Sequence, residues 1–168
     1  MDETKYKRAI TLFYEVTNRI QLDKSEFYIL ITRIENDTTI ERKETDFFFD
    51  AFDVNYDGEI SFEEFEDFLK YLCMNNEIYS RKIEFRSADT NRDNLISIDE
   101  ALSIKQITNE KYDREKIEKL LNDLDLEDEF PFYVYYKLCT GVSIDEKTDP
   151  YDGKLQLLNS QSKCCLIL

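Results

Sequence analysis

Residues 53–64 read D-V-N-Y-D-G-E-I-S-F-E-E. Oxygen-bearing side chains fall on every second position from Asp53 to Ser61, a glycine stands sixth and a glutamate twelfth. Phe48, Phe49 and Phe52 precede the stretch at helical spacing, and Phe65, Phe68, Leu69 and Leu72 follow it at i, i+3, i+4 and i+7. The pattern is that of a polar loop between two helices, each with one apolar face.

A hard cation accounts for the spacing. Calcium takes six to eight oxygens, and a twelve-residue loop wraps it with ligands from positions 1, 3, 5, 7, 9 and 12. Asp53, Asn55 and Asp57 fill the first three of these positions. Glu59 offers its backbone carbonyl, Ser61 acts through a water, and Glu64 is long enough to give both oxygens. Gly58 permits the positive φ of the sharp turn. Ile60, at position 8, is the residue expected to pair with a neighbouring loop. An acidic surface loop that binds nothing has no need of five fixed positions.

Residues 89–100, D-T-N-R-D-N-L-I-S-I-D-E, repeat the arrangement. Asp89, Asn91, Asp93, Leu95 (by its carbonyl), Ser97 and Glu100 take the ligand positions, and Ile96 takes position 8. Asn94 replaces the glycine; asparagine tolerates the left-handed region better than most residues, so the turn survives at a cost of order 1 kcal/mol or less. On these two loops the chain resembles an EF-hand protein of the calmodulin-like type, and the helical pattern extends the resemblance over about residues 3–142. The resemblance implies helix–loop–helix units in pairs and a cofactor complement of two Ca²⁺ ions.

The two loops start 36 residues apart, and the same step leads back to Thr17 and forward to Asp125. Leu12, Phe13 and Val16 stand before Thr17 as Phe48, Phe49 and Phe52 stand before Asp53, and Leu120, Leu121 and Leu124 do so before Asp125. The helices that follow place Glu26 and Val134 at the loop ends, so Thr17–Glu26 and Asp125–Val134 are each two residues short of twelve. A shortened loop cannot supply the full ligand set, and Arg19 stands where an anion is wanted. The expectation is that Leu22 pairs with Ile60 and Phe130 with Ile96, the outer loops bracing their neighbours. Pro131 lies beside the pairing residue, so the two-strand ladder is compatible with it.

The expected fold is all-α, in two lobes of paired hands with short antiparallel pairing between loops. The N-terminal pair spans 1–73, its first hand degenerate and its second binding calcium. The C-terminal pair spans 78–142, its third hand binding and its fourth degenerate. Met74-Asn75-Asn76-Glu77 between them is either a flexible joint or part of one long helix.

Charge limits the partners. The chain of 168 residues has 22 basic and 37 acidic residues, a net charge of −15, which disfavours nucleic acid because phosphate binding needs clustered Lys and Arg. It has no histidine, and its four cysteines do not have metal-site spacing. Cys73 and Cys139, in apolar helical contexts, are expected in the core. Neither a signal peptide nor a membrane span is evident, so the chain reads as a reduced, cytosolic protein. No glycine-rich phosphate loop and no nucleophile with an evident base stand out, so no catalytic residues are assigned and an enzyme is not expected.

Past about residue 142 the pattern stops, and residues 143–168 read as a polar, flexible tail. It ends K-C-C-L-I-L. Cys165-Leu166-Ile167-Leu168 fits the C-a-a-X box, with leucine last favouring a geranylgeranyl group, and the box resembles the ends of prenylated small GTPases. One lipid chain holds a protein only marginally, so Cys164 is a candidate second, palmitoylated anchor. The functional expectation is a calcium sensor or relay at the cytosolic face of a membrane, acting on a target protein helix. The alternatives are a calcium buffer and a calcium-stabilised membrane scaffold.

Overall fold

The computed structural model describes residues 3–17, 19–73, 76–108 and 111–152. These form two compact units, the first running to Cys73 and the second from Asn76 to Asp152. In the first, α1 (Glu3–Val16), β1 (Gln21–Leu22) and α2 (Lys24–Glu35) are followed by α3 (Arg42–Phe52), β2 (Ile60–Ser61) and α4 (Phe62–Cys73). In the second, α5 (Glu77–Ala88), β3 (Leu95–Ser97) and α6 (Ile98–Thr108) are followed by α7 (Arg114–Asp123), β4 (Glu129–Pro131) and α8 (Phe132–Thr140). The all-α class with short strand pairing is therefore as expected.

Local chemistry sets the helix ends. Asp23 accepts from the amides of Ser25 and Glu26, and the Glu26 carboxylate accepts from the Asp23 amide, a reciprocal cap that starts α2. Helix α2 stops at Asn36 in the left-handed region, with φ 54°. Asn76 has extended backbone and accepts from the Tyr79 amide, so α5 begins with its own cap and is not a continuation of α4. Met74 and Asn75, in the stretch between the two units, lie outside the described residues. Helix α8 ends at Gly141, φ 75°, where the missing Cβ makes that conformation cheap.

The strand pairs join the helix–loop–helix units within each half. β1 and β2 run antiparallel with Leu22 opposite Ile60, and β3 and β4 with Ile96 opposite Phe130, the expected partners in both units. All four of these side chains are fully buried. Pro131 ends β4 opposite Leu95 and leads into α8.

Each unit has its own core. Phe13, Phe27, Phe52, Phe65 and Phe68 fill the first; Phe85, Ile96, Tyr112, Phe130, Phe132 and Tyr135 fill the second. Full burial of one such side chain stabilises by roughly 1.5–3 kcal/mol. Tyr112 and Tyr135 keep their hydroxyls bonded, Tyr112 donating to the Ala101 carbonyl at 2.9 Å and Tyr135 to Glu84 at 2.8 Å.

Some apolar assignments need correction. Leu72 is 38% exposed, Phe48 is half-buried while its neighbour Phe47 is buried, and Cys73 and Cys139 are half-buried rather than core residues. The polar segment after α8 also differs from a tether that starts at 143: Pro150 is buried, and its carbonyl accepts from Arg86 at 2.6 Å. Among the described residues no helix is long and apolar enough to cross a membrane. Cys164 and Cys165 lie outside the described residues.

Candidate metal centres

The loop between α3 and β2 is organised around Asp53, which is 4% exposed. Its Oδ1 accepts from the Asp57 amide at 3.1 Å and its Oδ2 from the Gly58 amide at 3.0 Å. Asn55 and Asp57 turn inward on the same small arc, Asn55 Oδ1 accepting from the Asp57 amide and Asn55 Nδ2 donating to Asp57 Oδ2. Tyr56 and Gly58 have φ of 59° and 79°, the two left-handed residues that bend the loop.

Ser61 and Glu64 have a second task that the ligand reading missed. The Ser61 amide and hydroxyl donate to Glu64 Oε2 at 2.9 and 2.8 Å, and the Glu64 amide donates to Ser61 Oγ at 3.2 Å. This is a capping box that starts α4, and the S-x-x-E signature was present in the sequence. The Val54 amide reaches Glu64 Oε1 at 3.0 Å, holding the carboxylate over the loop.

The loop between α5 and β3 repeats the geometry. Asp89, fully buried, accepts from the Asp93 amide on Oδ1 and from the Asn94 amide on Oδ2, at 3.2 and 3.0 Å. Asn94 has φ 67°, so it adopts the left-handed conformation that glycine supplies in the second hand. Ser97 and Glu100 form the same capping box, and the Thr90 hydroxyl donates to Glu100 Oε1 at 2.8 Å. One contact has no counterpart in the sequence reading: the Tyr151 hydroxyl donates to Asp89 Oδ2 at 2.9 Å.

These residues fit a hard divalent cation. Burial raises the Asp53 carboxyl above its usual range, and the neighbouring charges of Glu64 and Asp57 raise it further, against the Gly58 amide. Burial raises that of Asp89 too, with the Asp93 charge adding to it, against the donors Tyr151 and Asn94. Crowded, desolvated carboxylates of this kind are what an ion neutralises. Among the described residues no three His, Cys, Asp or Glu side chains form a ligand cluster by themselves. A ring of six to eight oxygens here has to draw on Asn, Ser, backbone carbonyl and water as well. The Asp at position 1 and the Glu at position 12 would help to hold such an ion, whose charge would offset theirs.

The outer loops are built differently. In the first, the Thr17 hydroxyl donates to the Gln21 carbonyl at 2.9 Å and accepts from the Arg19 amide. The Arg19 guanidinium bonds Glu26 at 3.1 Å and also Glu59 of the second loop, so the hand carries a fixed cation of its own against the glutamate at its end. Gln21 reaches Asp57 at 3.2 Å, a second link from the first loop to the second. In the fourth loop Asp125, Glu127, Asp128 and Glu129 are exposed, and the Asp128 carbonyl accepts from the Ile98 amide at 3.1 Å.

Residues 46–69 and 82–100 match the family model for the EF hand, and each matched segment carries one of the two full-length loops. No curated protein matches the chain. The two matched segments indicate calcium binding.

Proposed function

We propose that this chain, which carries two EF hands, is a calcium sensor that takes one ion in each unit and relays its arrival to a target helix. The ligands are Asp53, Asn55, Asp57, Glu59, Ser61 and Glu64 in one loop, and Asp89, Asn91, Asp93, Leu95, Ser97 and Glu100 in the other. The observation that favours a sensor over a buffer is an open apolar groove among α2, α3 and α4, with a volume of about 170 Å³. Ile31, Ile34, Ile40, Phe48, Phe68 and Leu72 line it. An ion that pulls Glu64, at the start of α4, toward Asp53, at the end of α3, changes the angle between the two helices that wall this groove. An amphipathic helix is the ligand that such a groove accepts. With two methionines in the whole chain the walls have little capacity to repack, so the groove suits few targets.

The test is a calcium titration in about millimolar Mg²⁺ with a dye that reports exposed apolar surface. Fluorescence is expected to rise and saturate at two equivalents. Two bound ions without a rise would identify a buffer or a scaffold instead.

The reading extends to the membrane. Where Leu168 ends the cellular chain, Cys165 is a prenyl acceptor and Cys164 supplies the second anchor that one lipid requires. Cys165→Ser is expected to move the protein from the membrane to the soluble fraction. Unchanged membrane association in that variant would remove the lipid from the proposal.

A further inference from the structure

After α8, residues 150–152 lie along α5 and reach the loop at 89–100. Lys82 Nζ donates to the Asp152 carbonyl at 2.9 Å, Arg86 Nε to the Pro150 carbonyl at 2.6 Å, and Tyr151 Oη to Asp89 Oδ2 at 2.9 Å. Arg86 is 2% exposed, and its guanidinium lies 6.0 Å from the Tyr79 ring and 5.7 Å from the Tyr151 ring. Arg92, at the fourth position of the loop, lies 5.0 Å from the Tyr151 ring. The segment is thus fixed by two backbone carbonyls, one buried proline and one aromatic ring. The Tyr151 hydroxyl goes to the first ligand of the loop.

We propose that Tyr151 is a positioning residue for the third hand, so that closure of residues 149–152 on α5 and cation binding between Asp89 and Glu100 favour one another. This rests on the reading of residues 89–100 as a metal loop. The choice of oxygen sets the sign. Tyr151 bonds Oδ2, the oxygen that also takes the Asn94 amide, and not Oδ1, which takes the Asp93 amide. A hydroxyl competing with the ion would have to occupy Oδ1. Donation to Oδ2 instead fixes the carboxylate plane. Arg86 and Arg92 oppose a cation by their charge, but they belong to α5 and to the loop itself, so they do so whether the segment is closed or open. The coupling is reciprocal: whatever factor the closed segment adds to the ion's affinity, the ion adds to the closure.

The test uses the full chain. Tyr151→Phe keeps the ring over both arginines and removes the donor alone. By calorimetry it is expected to weaken calcium at the third hand about three- to tenfold, the range for one hydrogen bond to a charged group partly replaced by water, with the second hand unchanged. In the wild type, amide exchange across residues 143–152 is expected to slow on calcium loading, and not to slow in Glu100→Gln. An intact third site indifferent to Tyr151→Phe, or exchange that quickens on loading, overturns the coupling alone. An ion count that Glu100→Gln does not lower overturns the metal reading of that loop, and the coupling with it.

Discussion

Glu64→Gln is expected to remove one calcium ion from the chain, and Glu100→Gln to remove another. The glutamate at position 12 is the ligand with the most to lose, because it can give two oxygens and a full charge, whereas glutamine gives one neutral carbonyl. Affinity in such loops is tuned by charge count over many decades, so losing one of three carboxylates together with one coordination bond is worth a factor of about a hundred or more. The substitution is clean for a reason visible in the structure. Glu64 closes a capping box with Ser61, and Glu100 does so with Ser97. Glutamine serves at that position of a capping box as well as glutamate does. Helices α4 and α6 should therefore start normally, and the metal-free circular dichroism should match the wild type. Calorimetry should count two ions in the wild type, one in each single variant and none in the double. Two ions in both single variants would mean that the site lies elsewhere.

The loops were legible in the sequence because their chemistry dictates position. Oxygens must alternate, one residue must turn left-handed, and a long acid must close the ring, so Asp53, Gly58 and Glu64 identify themselves. The outer helix–loop–helix units were found by period instead of by ligands, and the pairings Leu22–Ile60 and Ile96–Phe130 followed from the same period. What periodicity does not contain is how far a neighbouring element reaches. It placed Leu72 with the core of α4, but Leu72 lies at the groove beside Ile31, Ile34 and Phe48 and is 38% exposed. Nor could spacing show that Arg19 would supply its own cation between Glu26 and Glu59, since that depends on how two loops lie side by side. Tyr151 is the clearest case. It stands 62 residues from Asp89 in a segment whose composition reads as a tether, and only the fold brings its hydroxyl to the carboxylate.

Phe68→Ala is expected to cost the first unit about 3–5 kcal/mol, the range for truncating a buried aromatic side chain. Phe68 is 2% exposed, and its ring lies 5.4–5.5 Å from the rings of Phe27, Phe48 and Phe52, with Phe65 at 6.2 Å. It therefore bridges α2, α3 and α4, and the cavity left behind is walled by rings that cannot collapse without breaking their own contacts. Whole domains are stable by about 5–15 kcal/mol, and a unit this small belongs at the low end, so the loss consumes most of its stability. The ion offers a partial remedy. Binding to the folded unit alone adds about 2.7 kcal/mol at a hundredfold excess over the dissociation constant. The variant should accordingly unfold at low urea without calcium and regain a distinct transition with it. The second unit, whose core is separate, should melt as in the wild type under both conditions. A loss below about 1 kcal/mol would show that the phenylalanine cluster repacks around the gap. The same walls would then be soft enough to accept many different helices, against the narrow selectivity that the scarcity of methionine implies.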